Sequence, residues 1–83
     1  MKKITIYTTP TCPYCNNAKE LFDSLNLTYT SVDVSVDTAK RDELVEKYDW
    51  QTVPAIFFDD ELVGGYDDVQ ALHNENTLME KLA

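Results

Sequence analysis

Glycine is nearly absent from this chain: there are two in 83 residues, and they are adjacent, Gly64-Gly65. Two cysteines exclude a disulfide-stapled framework, and a lone histidine leaves too few soft ligands for a closed four-ligand zinc site. Basic residues are also scarce, seven against fifteen acidic, for a net charge of −8. Phosphate backbones and anionic membrane surfaces both need a basic face, so the expectation is no nucleic acid and no membrane partner. No apolar run approaches the roughly 20 residues of a membrane helix. Met1-Lys2-Lys3 has the charge of a signal n-region, but the segment after it, to Pro10, alternates polar and apolar residues, so no signal peptide is read. The default compartment is cytoplasmic. There is no repeat, low-complexity tract or Pro/Gly/Ser linker.

The remaining composition is that of a globular domain, 43% apolar and 27% charged. At this length roughly 60–65% of the unfolded surface is buried, enough for one sheet with helices on it. The expected organisation is one domain over 1–83, likewise a monomer, with any cofactor small and bound at the surface.

Strand and helix patterns alternate along the chain. Ile4–Tyr7 reads as a strand and Thr8–Thr11 as a loop. From Pro13 to about Leu25, Ala18, Leu21, Phe22 and Leu25 recur at helical spacing, and Asn26 suits the end. Thr28–Val34 reads as a second strand. Asp37 or Thr38 is expected to cap a helix over about 39–48 with Leu44, Val45 and Tyr48 inward. Ala55–Phe58 and Glu61–Val63 form a hairpin around Asp59-Asp60. Asp67 or Asp68 is expected to cap a last helix carrying Val69 and Leu72, broken or bent at Asn74-Glu75-Asn76 before Leu78 and Leu82. The order β-α-β-α-β-β-α predicts an α/β fold with a four-stranded mixed sheet and helices on both faces.

The chemistry sits at Cys12-Pro13-Tyr14-Cys15. The first strand ends in a loop that opens a helix at Cys12, and Pro13 suits the first helical position. Free N–H groups and the positive end of the helix dipole favour a thiolate at Cys12, the nucleophile. Cys15 lies one turn further on, less exposed, and is placed to resolve a mixed disulfide on Cys12. A pair of plain core cysteines is the bland alternative. A cluster shared between two subunits is another, with ligands completed from outside.

Cys-Pro-Tyr-Cys in this place resembles the dithiol glutaredoxin family, within the thioredoxin-like superfamily. The resemblance extends over the whole chain. It includes Tyr7-Thr8, Ala18-Lys19, Thr52-Val53-Pro54 and Gly64-Gly65-Tyr66-Asp67-Asp68. The thioredoxin motif Trp-Cys-Gly-Pro-Cys and the monothiol motif Cys-Gly-Phe-Ser are absent. The resemblance implies a glutathione-dependent thiol–disulfide oxidoreductase of thioredoxin-like fold that reduces protein disulfides and glutathionylated proteins. It implies ribonucleotide reductase as a plausible client, glutathione reductase as the recycler, glutathione as the co-substrate and no metal.

The same resemblance implies a cis Val53–Pro54 bond facing the cysteines, leaving Val53 backbone groups free to pair with a peptide-like substrate. The alternative is an ordinary trans turn proline. It also implies that N–H groups around Tyr66 and Asp67 hold the α-carboxylate of the γ-glutamyl end of glutathione. Asp67 or Asp68 then faces its ammonium, or both are only helix caps. The adjacent Gly64 and Gly65 suit positive φ or a close backbone approach. Tyr14 borders the sulfur groove or is a surface aromatic, and Thr52 orients the groove or is merely exposed.

Lys19 reads as a solvated helix lysine, and His73 as surface or structural. Trp50 either caps the core of the second helix or forms a lip for partners. Thr9 stands where many dithiol relatives carry a lysine. That departure predicts a less favoured thiolate and a weaker glutathione site, with Gln51 as a neutral donor in partial compensation. Two rival readings keep the motif: a redoxin fed by thioredoxin reductase, and a dimeric iron–sulfur carrier with Cys12 and glutathione as ligands. The Gly-Gly-Tyr-Asp-Asp segment disfavours the first and Pro13 the second.

Overall fold

Alternation at the start of the chain becomes strand β1 (Ile4–Thr8), whose Ile4, Ile6 and Thr8 are buried while Thr5 and Tyr7 face the other way. The computed structural model describes residues 2–83. Met1 of the n-region reading lies outside them. The other elements are α1 (Pro13–Ser24), β2 (Thr30–Asp33), α2 (Thr38–Tyr48), β3 (Ala55–Phe58), β4 (Glu61–Gly64), α3 (Tyr66–Asn74) and α4 (Leu78–Leu82). The sheet order is β2-β1-β3-β4. β1 and β2 run parallel across the α1 crossover, β3 is antiparallel to β1, and β3–β4 is the hairpin. β3 is central and covered on both faces, so all four of its residues are buried.

The two faces carry two cores. Ile4, Ile6, Ile56 and Phe58 meet Ala18 and Phe22 of α1, Val69 of α3, and Leu78 and Leu82 of α4. On the opposite face Leu44 of α2 packs with Ala55 and Phe57, flanked by Tyr7, Tyr48, Trp50 and Leu62. Phe57 meets Tyr48 edge-on with ring centroids 4.9 Å apart, and Tyr7 at 5.2 Å. This is the thioredoxin-like α/β fold, a four-stranded mixed sheet with helices on both faces.

Several boundaries differ from the sequence pattern. β2 is shorter than Thr28–Val34, because Tyr29 leaves the ladder to pack on Phe22, with ring centroids 6.1 Å apart. Asp37 caps α2, accepting the Lys40 N–H at 3.1 Å, and Asp49 ends it in the left-handed region at φ 52°. Leu44 and Tyr48 form its inward stripe; Val45 lies about 100° round from Leu44 and is 37% exposed, not inward. Asp67 and Asp68 do not cap α3. Gly65 is the N-cap, and Asp68 at the third helical position reaches back to accept the Gly65 N–H at 2.9 Å. The last helix is two, separated where Asn76 takes φ 61°, so the order is β-α-β-α-β-β-α-α. Asn26, also left-handed at φ 57°, follows α1.

Candidate active site

Cys12 is the N-cap of α1, with extended backbone (φ −93°, ψ 109°) and Pro13 directly behind it. Its sulfur accepts the Cys15 N–H at 3.2 Å. The donor is a backbone N–H in the first turn of the helix, where no intrahelical acceptor competes for it. In its thiol form Cys12 donates to the Val53 carbonyl at 3.5 Å. This contact ties the cysteine turn to the Val53–Pro54 segment, whose peptide bond is cis. Cys12 is 9% exposed and Cys15 fully buried; both are free thiols. An incoming disulfide therefore meets Cys12 first.

Burial pushes the Cys15 thiol up from its ordinary value, and the hydrogen bond with Cys12 adds to this; the Thr8 hydroxyl and Thr9 backbone partly offset it. Burial thus favours the thiol form of Cys15. Thr8 is itself buried at the end of β1, under the cysteine turn.

Beside Cys12 lies a groove of about 250 Å³. Tyr14, Thr52, Val53, Pro54, Tyr66, Asp67 and Asp68, dispersed over 55 positions of the sequence, all line it, together with Gly65 and Trp50. The sheet makes this convergence: Pro54 leads into central β3, while Gly64 at the end of β4 turns the chain into α3. Gly64 has φ +138°, and a Cβ there would stand 2.1 Å from the Asp68 carboxylate oxygen. It shapes the turn and does not line the groove. Gly65 has ordinary dihedrals, and a methyl there would lie 3.5 Å from the Pro54 carbonyl, inside the groove.

Tyr14 is 58% exposed and faces Tyr66 with ring centroids 6.4 Å apart. The Tyr66 hydroxyl donates to Gln70 at 3.0 Å, and the Gln70 amide to Asn74 at 3.0 Å, which fixes that wall. Thr52 is exposed at the rim and Asp67 is exposed at the start of α3. Asp68 is engaged by Gly65, so Asp67 has the freer carboxylate.

A second groove of about 370 Å³ continues beyond Thr52 and Val53. Thr9 and Gln51 line it, as does Arg41 from the first turn of α2. Arg41 was not among the residues that the sequence singled out. Its signal was available: it is the only arginine in a chain of net charge −8. Trp50 packs beside the Leu44 cluster and also lines both grooves. Lys19 lines neither, and His73 lies in a separate hollow with Leu25 and Met79. Among the described residues no three His, Cys, Asp or Glu side chains gather to hold a metal ion.

The family model described as Glutaredoxin matches residues 4–63. Glutaredoxin 3 of Escherichia coli strain K12 is 40% identical over 72 residues, covering 87% of each chain. The solution structure of glutaredoxin from Brucella melitensis superposes with a TM-score of 0.85 at 38% identity, covering 99% of this chain and 89% of that one. The crystal structure of a buckwheat glutaredoxin–glutathione complex gives a TM-score of 0.89 at 26% identity, covering 98% and 76%.

Proposed function

This chain belongs to the glutaredoxin family of thiol–disulfide oxidoreductases, and on that premise we propose that it uses glutathione through Cys12, Cys15 and the groove beside them. The observation that carries this is the Cys12 sulfur, at a helix N-terminus and in contact with the Val53 carbonyl that lines the groove. The Cys12 thiolate attacks the glutathionyl sulfur of a mixed disulfide. A Cys12–glutathione disulfide forms, and the protein thiolate leaves and takes up a proton. A second glutathione thiolate attacks that disulfide, restoring the Cys12 thiolate and releasing oxidised glutathione. With a protein disulfide, Cys12 forms a mixed disulfide with the client. Cys15 then loses its proton, attacks the Cys12 sulfur and expels the reduced client, leaving Cys12–Cys15 to be reduced by two glutathiones.

In this reading Tyr14, Thr52, Val53, Pro54, Tyr66, Asp67 and Asp68 hold glutathione, with Pro13, Gly64 and Gly65 as structural support. The Val53 backbone pairs with the peptide. The free N–H groups at the start of α3 take the γ-glutamyl carboxylate, and Asp67 faces its ammonium. Arg41 and Gln51 in the adjoining groove supply a cation and a donor for the glycyl carboxylate, in place of the lysine that Thr9 replaces. The chain acts as a single glutaredoxin domain and a monomer in a reducing, cytoplasmic compartment. Ribonucleotide reductase is a client by family resemblance alone, and glutathione reductase recycles the oxidised glutathione.

The test is steady-state reduction of a small glutathione mixed disulfide, with glutathione and glutathione reductase coupled to NADPH. Turnover is expected to vanish in Cys12→Ser and to survive in Cys15→Ser, which loses only protein-disulfide reduction. Absence of turnover with glutathione, alongside reduction by thioredoxin reductase, defeats the proposal.

A further inference from the structure

The second groove, about 370 Å³, is larger than the one of about 250 Å³ beside Cys12 and is continuous with it through Trp50, Thr52 and Val53. Glutathione as placed above leaves part of it without a use. Its chain ends in glycine, whose carboxylate needs the polar rim and whose missing side chain covers no apolar surface. Yet one wall of the groove is apolar, made by Val34, Leu44 and Val45. Val45, which the packing of α2 leaves 37% exposed, belongs to this wall. Arg41 precedes it by four residues, so the two are neighbours on one face of α2. Arg41 is the only charged residue that lines the groove. The ion pairs among the described residues are Lys40–Glu43 and Lys81–Glu61, so the Arg41 guanidinium is free to meet a ligand.

The direction of a bound chain follows from the same residues. Gln51 lines only the second groove and Pro54 only the first, so residues 51–54 run from the α2 end of the cleft to the α3 end. A segment pairing antiparallel with Val53 runs the other way, entering beside α3 and leaving past Gln51 and α2. We propose that the second groove is a docking site for protein clients, which selects an extended segment carrying a branched apolar residue and an acidic residue shortly after its reactive cysteine. The apolar side chain covers Val34 and Val45, and the carboxylate meets Arg41. The inference rests on the Cys12 exchange and Val53 pairing proposed above, and names the disulfides that this exchange favours.

The test uses the reduced wild-type chain and end-blocked peptides, each joined through its cysteine to thionitrobenzoate. The Cys12 thiolate attacks the peptide sulfur, and the thionitrobenzoate thiolate leaves with a colour that reports the rate. Cys15 then gives up its proton, attacks the Cys12 sulfur and releases the peptide thiolate, which takes up a proton; no glutathione is needed. Ala-Ala-Cys-Val-Glu is expected to react on the order of fivefold faster than Glu-Val-Cys-Ala-Ala, which has the same composition in reverse. It should also outpace Ala-Ala-Cys-Val-Lys, with a gap that shrinks in salt. That preference runs against the net charge of −8, which attracts the lysine peptide, so it reports a local cation. Arg41→Glu should reverse the choice between glutamate and lysine. Val45→Ser should erase the advantage of valine, while turnover of a small glutathione mixed disulfide, which sets no side chain against Val45, stays as in wild type. Equal rates for the forward and reversed peptides, or a faster lysine peptide, would overturn the docking site and leave the glutathione reading standing. Loss of glutathione turnover with the peptide preferences intact would sink that reading and spare the docking site. The wild-type peptide series decides even if a variant fails to fold.

Discussion

Gly64 and Gly65 are neighbours with opposite reasons to be glycine, and alanine at each separates them. At Gly64 the backbone stands at φ +138°, where an alanine is strained by roughly 1–3 kcal/mol. Its Cβ would also occupy a point 2.1 Å from the Asp68 carboxylate oxygen. Asp68 must then swing away and release the Gly65 N–H it accepts, a further loss of about 0.5–2 kcal/mol on the scale of helix caps. Gly64→Ala is therefore expected to lose roughly 2–4 kcal/mol, or on the order of 10–30 °C in Tm for a domain of this size. At Gly65 the dihedrals are ordinary and the nearest atoms stand at 3.5 and 3.7 Å, so Gly65→Ala is expected to keep stability within about 1 kcal/mol. Its methyl instead narrows the groove between Pro54 and Trp50, raising KM for a glutathione mixed disulfide. Urea titration and thermal melts measure the first effect, and coupled turnover the second. Equal destabilisation by the two alanines would refute this account. So would a Gly64→Ala protein as stable as wild type. Asp68→Ala in the Gly64→Ala background should recover the steric share and not the dihedral share.

The buried Cys15 thiol predicts a pH dependence with a definite sign. Its value in the fold is raised above the ordinary thiol value of about 8.5, so above that pH the folded state holds a proton that the unfolded chain has released. Its contribution is full below about pH 8.5 and declines as pH rises; urea midpoints under strong reductant should fall between pH 7 and 9.5, and Cys15→Ser should flatten the change. A rise in stability over that range would contradict the assignment. Arg41→Ala is expected to raise KM for a glutathione mixed disulfide roughly two- to fivefold, as an exposed ion pair does, and Thr9→Lys to lower it by a similar factor. Both effects should shrink with added salt; indifference to either substitution would remove the adjoining groove from the site.

The cysteine motif, the strands and the residues around the groove were legible because each carries a local signature: alternation in Ile4–Thr8, proline after Cys12, and consecutive glycines before a helix. What escaped was set by tertiary placement. Asp67 and Asp68 are good capping residues, yet the dihedral at Gly64 starts the helix earlier and makes Gly65 the cap. Val45 fits the apolar pattern of α2, but a helix resting on Leu44 and Tyr48 leaves it at the flank. Arg41 has no motif of its own; only the packing of α2 brings it opposite Gln51 and Thr9. The dual place of Trp50 depends on the left-handed turn at Asp49, which no periodicity announces.

The unequal cores give the two halves of the cleft different local stabilities. Ten buried residues hold α1, α3 and α4 to one face, whereas α2 is anchored by Leu44 on Ala55 and Phe57 with half-buried aromatics around them. Sub-global opening therefore releases α2 first, a cooperative unit that amide exchange should show unfolding at lower free energy than β1 and β3. The cysteines and the start of α3 stay on the rigid half. Arg41 rides on the yielding half and Trp50 on the segment that leaves it, so opening of α2 is expected to leave the geometry around the two sulfurs unchanged.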